Sequence, residues 1–371
     1  MEVGFFETFS KIYHHCWLEW ETNGPTRTFL IDFINELSIY GFISTYDIFL
    51  CVALGVVFTI LRYLLNIAVF KPFFSWCRVP EKELTKSPES AFKFLYYTVV
   101  YSYTCYLLFN GKYNFFQDSA YCWKGWYKGM PIEQDIYVLY VVQAGFYLHA
   151  VYATVFMDQW RQDFILMLLH HVVTIALIAF SFAVRYHKIG ILVLFLHDVC
   201  DVFLEFAKLC VAFKMRDGKY HLIPDVLGGV SFTLFTLSWL YCRLYLYPLK
   251  VLFICGCGGR VHVPTAPFYF FFNPLLWSLL LMNLWWFQYI VLLLVRIVAG
   301  NSGLEDTREI EKHEMTNAKV FENGDSLAVS HALHNYNDDI KRVDDNVDNV
   351  TEKDRKEQFR RRQPRTKPAN P

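Results

Sequence analysis

Along this chain the apolar residues gather in long blocks instead of alternating with polar ones. Seven blocks stand out, roughly 47–70, 91–110, 135–157, 164–184, 188–212, 226–247 and 268–299. Each is close to the length of about 20 residues that carries a helix across a hydrocarbon core of roughly 30 Å. The pattern predicts an all-α, polytopic membrane protein with about seven transmembrane helices, six being the alternative, and it excludes a soluble globular fold. Tyrosines crowd the second and third blocks, and Asn273-Pro274 marks the entry to the last. In the leading segment 1–46, Glu7, Lys11, Glu19, Glu21 and Asp32 interrupt every apolar stretch, so no signal-peptide core is expected. A short linker, 71–90, separates the first helix (47–70) from a domain covering 91–299.

Composition sharpens this division. The 371 residues are 54% hydrophobic and 19% aromatic, and 35 Lys and Arg balance 35 Asp and Glu. Of those 70 charges, 28 lie in residues 300–371, where apolar periodicity disappears. That segment reads as a disordered tail. Net charge of zero without a basic stripe argues against nucleic acid as a partner. Charge does not orient the chain: the connections on the two sides carry 8 and 9 basic residues. The tail's 13 basic residues favour a cytosolic C-terminus. Within the tail, Ser302-Gly-Leu-Glu305 and Thr351-Glu-Lys-Asp354 read as capping boxes before kinase sites, and Arg360-Arg361-Arg362 as a solvated charge run. The ten cysteines lack paired spacing, which points to buried thiols.

The candidate chemistry lies inside the blocks, where ionisable side chains are costly and mark function or pairing. The fourth block carries His170, His171, Thr174 and Ser181; the fifth carries His197, Asp198, Asp201, Glu205 and Lys208. At about 100° per residue, His170, Thr174 and Ser181 fall within roughly 40° of one another, with His171 about 100° away. The five groups of the fifth block share about a quarter turn on the same count. A linker of three residues, 185–187, makes the two helices neighbours. At 1.5 Å per residue His170 and Glu205 come to similar depths, about 9–10 Å from one face, so the histidines can meet Asp201 or Glu205. An imidazole oriented by a carboxylate in a low dielectric makes a general base. Three other readings compete: polar groups that only hold helices together, a metal centre, and a proton relay in a carrier. The metal reading is the poorest, since one adjacent His pair replaces the repeated boxes of membrane di-iron enzymes. His149 either lines the same cavity or bonds locally. Arg62 and Arg243, near span ends, are expected to snorkel, and Trp277, Trp285 and Trp286 to serve as interfacial or packing rings.

The stretch from Asp158-Gln-Trp-Arg161-Gln-Asp163 through His170-His171-Val-Val-Thr174, Arg185-Tyr-His-Lys-Ile-Gly190 and His197-Asp198 to Asp201, Glu205 and Lys208 resembles the Lag1 motif. That motif belongs to ceramide synthases, within the wider TRAM-Lag1-CLN8 family, and Pro267 to Asn273 looks like the same family. The similarity spans roughly residues 90–300. The short 71–90 linker leaves no room for the homeobox-like insert of many animal members. Together with the tract from Arg185 to His197, this resembles the type 1 branch, which favours stearoyl-CoA. The sequon seen near the start of some relatives is missing; the one sequon here, Asn349-Val-Thr351, lies in the tail.

The resemblance implies a six-helix TLC bundle around a lipid cavity, preceded by one helix, in the endoplasmic reticulum membrane with a cytosolic tail. It implies transfer of a fatty acyl group from acyl-CoA to the amine of a sphingoid base, with no metal or other cofactor. Membrane lipid and dimers with itself or other ceramide synthases are the remaining implied partners. His170 or His171, oriented by Asp198, Asp201 or Glu205 and backed by His197, would take the amine proton or first accept the acyl group; both routes stay open. Thr174 could donate to the oxyanion or bond its own backbone. Arg161, Lys208, Lys214, Arg216 and Lys219 are candidates for the phosphates of coenzyme A. In the family the connection between the last two spans, here 248–267, influences chain length. A non-catalytic lipid sensor of the same wider family and a transporter are the rival readings.

Overall fold

A computed structural model describes residues 4–24, 29–110, 113, 116–263 and 266–299. The tail, with Ser302, Asn349, Thr351 and Arg360–Arg362, lies outside the described residues.

Nine helices organise the described chain: α1 (Phe5–Asn23), α2 (Phe29–Tyr40), α3 (Thr45–Trp76), α4 (Ser87–Phe109), α5 (Gln134–Phe156), α6 (Phe164–Ala183), α7 (His187–Lys214), α8 (Leu222–Gly258) and α9 (Tyr269–Val298). By length and apolar content α3, α5, α6, α8 and α9 can cross a membrane. Helices α4 and α7 are as long, at 23 and 28 residues, but their polar side chains lower the hydropathy. The protein is therefore a polytopic helical membrane protein.

Helix α3 starts on a capping box: the Ser44 hydroxyl accepts from Tyr46 N–H, and the Asp47 carboxylate accepts from Ser44 N–H. Its Phe49, Val52, Val56 and Ile60 are exposed, which is the expected state of a helix whose outer face meets lipid. Its inner face packs on α5, where Gly55 and Gly145 let the two backbones approach. Helix α7 is central, packed between α4 and α8 and beside α6.

The α6–α7 turn is sharp. Tyr186 N–H donates to Ser181 C=O and Arg185 N–H to Phe182 C=O, closing a Schellman motif with Arg185 at φ +66°. The left-handed backbone costs a non-glycine residue about 1 kcal/mol. The Arg185 guanidinium compensates by lying over the Phe42 and Phe182 rings and donating to Phe182 C=O. Just beyond, Gly190 is obligatory: a Cβ there would fall 1.8 Å from the Tyr140 hydroxyl, which donates to His187 C=O.

Three features go beyond the hydropathy reading. The leading segment is folded: α1 packs on the end of α8, and α2 inserts Phe33 among Phe180, Phe268 and Phe271. Second, the expected connection over 248–267 is mostly helix. Helix α8 runs through Pro248, wound as π-helix over Trp239–Leu246, Pro248–Leu252 and Ile254–Gly258. The looser winding accommodates Pro248, which has no N–H to donate. Third, α9 begins one turn before Asn273-Pro274, with the N–H of Phe268 donating to the Glu36 carboxylate of α2. Between α7 and α8 a hairpin pairs Met215–Arg216 with Lys219–Tyr220 around Asp217-Gly218, both at positive φ, the type I′ geometry.

Candidate active site

Helices α6, α7 and α9, closed by the α4–α5 connection and the end of α8, enclose a cavity of about 830 Å³ including its opening. His170, Thr174 and Ser181 line it from α6, as their shared helical face requires, and His197 lines it from α7. Most other lining groups are apolar, Leu177, Val193, Phe272 and Leu276 among them. A hydrocarbon chain fits such walls.

The two polar stripes are treated differently. On α6, Nδ1 of His170 and Nδ1 of His171 are buried and have no hydrogen-bond partner among the described residues. The His170 ring is held by shape, 5.4 Å from Trp286 in an edge-to-face pair and 5.6 Å from His171. Trp286 is itself fixed through its indole N–H, donated to Asp163. Thr174 spends its hydroxyl proton on His170 C=O, the local bond that a helical threonine favours.

On α7 nearly every group already has a partner. His197 accepts at Nε2 from the Asn283 amide of α9, and its Nδ1–H donates to Val193 C=O. Both ring nitrogens are thereby occupied, and the tautomer is set. Asp198 is wholly buried and accepts from Gln143, which in turn accepts from the Tyr96 hydroxyl. Asp201 pairs with Arg243 at 3.0 Å, and Glu205 with Lys208 at 2.7 Å. Arg243 also donates to His197 C=O and stacks 4.0 Å over Trp239. Neither His170 nor His171 hydrogen-bonds a carboxylate among the described residues. The expected imidazole–carboxylate pair is thus replaced by two separate arrangements, because Gln143 of α5, Arg243 of α8 and Lys208 of α7 itself hold the acids.

A profile of the TLC domain matches residues 86–292. Over 272 residues the chain is 45% identical to ceramide synthase 1 of Homo sapiens, covering 73% of this chain and 78% of that one. The chain belongs to the ceramide synthases of the TLC-domain family. Ceramide synthase 1 of Mus musculus is 42% identical over 285 residues, 76% of this chain and 81% of the relative. Ceramide synthase LOH1 of Arabidopsis thaliana is 33% identical over 238 residues, 61% and 73% of the two chains. The two mammalian matches bear the type 1 name that the tract from Arg185 to His197 resembles.

In this ceramide synthase the remaining candidates sort by position. His149 does not reach the cavity: it faces the other way, bonding the Thr59 hydroxyl of α3 at 2.9 Å and packing on Phe92. Arg62 does not snorkel; it is buried and paired with Asp158, which Lys93 also holds at 2.9 Å. Burial alone would raise the Asp158 carboxyl, but Lys93 and Arg62 keep it well below the usual carboxylate range. Arg243 is buried as well. Arg161 lies 3.6 Å from Glu89, Lys208 is tied to Glu205, and Lys214 to Asp225 at 2.8 Å. Among the described residues Arg216 has the Phe213 ring beneath its guanidinium, and Lys219 is exposed. Both stand on the hairpin, which Asp217 clips to Arg78. Among the described residues no three His, Cys, Asp or Glu side chains gather as a metal site would.

One cavity residue escaped the sequence reading. Tyr147 of α5 lines the cavity, 6.0 Å from the His171 ring, and its hydroxyl has no partner among the described residues. The buried Tyr96, Tyr140 and Tyr247 all donate to a partner. One tyrosine among 24 carried no signal in sequence; the unspent hydroxyl is visible only in the fold.

Proposed function

We propose that this enzyme makes its amide bond at His170, inside the α6–α7–α9 cavity. The reaction of the family is transfer of a fatty acyl group from acyl-CoA to the amine of sphinganine or sphingosine, giving dihydroceramide or ceramide. A sphingoid amine is mostly ammonium at neutral pH and must lose a proton before it attacks the thioester. One ammonium proton leaves to water; as the free amine attacks and the N–C bond forms, His170 takes the second, and the imidazolium returns it to the departing thiolate as the C–S bond breaks, leaving a neutral amide. The Tyr147 hydroxyl donates to the oxyanion between these steps. The same imidazole can instead receive the acyl group first and pass it to the amine. Aminolysis of a thioester needs no metal.

The observation that carries this reading is His170, whose ring lines a mostly apolar cavity and whose buried Nδ1 has no partner among the described residues. His197, with both nitrogens bonded, and the acids Asp198, Asp201 and Glu205 support the site as positioning residues. Arg216 and Lys219, on the hairpin that follows α7, meet the phosphates of coenzyme A. With the endoplasmic reticulum as the site of synthesis, that hairpin and the tail face the cytosol, where acyl-CoA is available.

The test uses the full chain, expressed in cells without their own activity and solubilised in detergent. Given sphinganine and stearoyl-CoA, it should yield an N-acyl product by mass spectrometry. Absence of any product from folded protein with every acyl-CoA overturns the reading.

A further inference from the structure

The cavity has a definite length. Its α6 wall begins at His170, and the helix ends at Ala183, about 20 Å further along at 1.5 Å per residue. An extended hydrocarbon chain advances about 1.25 Å per carbon, from a bond near 1.52 Å and an angle near 111°. About 16 chain carbons therefore separate the histidine from the level of the α6–α7 turn.

At that level the cavity is closed by a residue from outside the helical walls. Trp123 comes from the α4–α5 connection, is 5% exposed, and lines the cavity together with Tyr186, Gly259 and Pro267. Three contacts fix the indole. Its N–H donates to Ile254 C=O at 3.0 Å. Its ring meets Tyr186 edge-to-face at 4.9 Å, and the Tyr186 hydroxyl is anchored on Pro267 C=O. On the other side the ring rests on Gly259, where an added Cβ would come within 3.0 Å of Trp123 Cζ2. A side chain held on three sides cannot swing away from an incoming methyl group, so it acts as a hard stop.

We propose that Trp123 is the floor of the acyl tunnel and sets the longest acyl group the enzyme accepts, with Gly259 fixing the height of that floor. This rests on the assignment of the cavity to the acyl chain. A chain one carbon too long must displace the indole or leave a methylene outside the tunnel, while each carbon that finds space is worth roughly fourfold in binding.

The experiment follows product lengths when the solubilised full-length enzyme and sphinganine are given an equimolar ladder of saturated acyl-CoAs from myristoyl to hexacosanoyl. Trp123→Ala should raise the ratio of lignoceroyl to stearoyl product by about tenfold or more. Gly259→Ala, whose methyl group lifts the ring into the tunnel, should move the optimum the other way, enriching palmitoyl product a few-fold. If Trp123→Ala does not fold, Gly259→Ala decides alone: a shift to shorter chains supports the floor, and no shift overturns it. Length profiles that superimpose on the wild type for folded variants overturn the proposal while the acyltransferase reading stands. So does a change confined to the preferred length of sphingoid base, measured with stearoyl-CoA held constant. A wild type that forms no amide with any chain overturns the acyltransferase reading instead.

Discussion

Helices α6 and α7 each carry a polar stripe into the membrane, and the stripes have opposite chemistry. On α6 two imidazoles each keep a buried nitrogen without a partner among the described residues. On α7 a histidine has both nitrogens bonded, and three acids each have at least one oxygen committed, to Gln143, Arg243 and Lys208. A buried polar group without a partner costs about 1–3 kcal/mol. A fold keeps such a group where something else, such as a substrate, completes it. Intramembrane polarity therefore has two meanings here: the His170 imidazole faces the cavity, and the α7 groups hold the helices that present it, although Asp198 and Glu205 each keep one buried oxygen without a partner among the described residues.

That contrast can be broken from either side. The largest effect belongs to the unspent stripe: His170→Ala should lower product formation by about 10²–10⁴ while the thermal unfolding temperature in detergent stays near that of the wild type. Next comes the spent one. Arg243→Met strands the Asp201 carboxylate and removes a donor from His197 C=O, and should cost about 3–5 kcal/mol of stability, seen as early unfolding. The Asp158 cluster behaves alike, outside the membrane core. Asp158→Asn should cost about 3 kcal/mol at neutral pH. Because the folded carboxyl titrates below its usual range, its contribution is complete above about pH 4 and fades as acid protonates the native group. The gap between Asp158→Asn and wild type should accordingly close on acidification. The smallest effect is at Tyr147: Tyr147→Phe breaks no hydrogen bond, so stability should hold while kcat falls roughly tenfold with KM unchanged.

Much of this was legible before the fold was known, and the limits have a common cause. Helical angles brought His170, Thr174 and Ser181 to one cavity wall because a helix fixes the relative directions of its own side chains. The same arithmetic could not say that Arg243, Gln143 and Asn283 would claim the α7 residues, since those partners come from helices whose rotation is set by packing. His149 stayed undecided for the same reason: a histidine in a span looks alike in sequence whether it faces the cavity or Thr59. The connection at 248–267 was misread because the apolar block reads as ending at 247, whereas α8 continues through Pro248 in π-winding. The Asp217-Gly218 hairpin, by contrast, carried a plain turn signal that the hydropathy pattern overshadowed.

The measurement that decides between a catalytic and a supporting α7 stripe is the activity of Asp201→Asn per folded molecule. Asparagine keeps the shape and an acceptor oxygen for Arg243 but cannot serve as a carboxylate partner for an imidazole. Product formation, divided by the monodisperse folded fraction from size exclusion, should stay within a few-fold of wild type even as less protein folds. A variant that folds as well as wild type yet forms no amide would contradict the account, and would return Asp201 to the reacting centre.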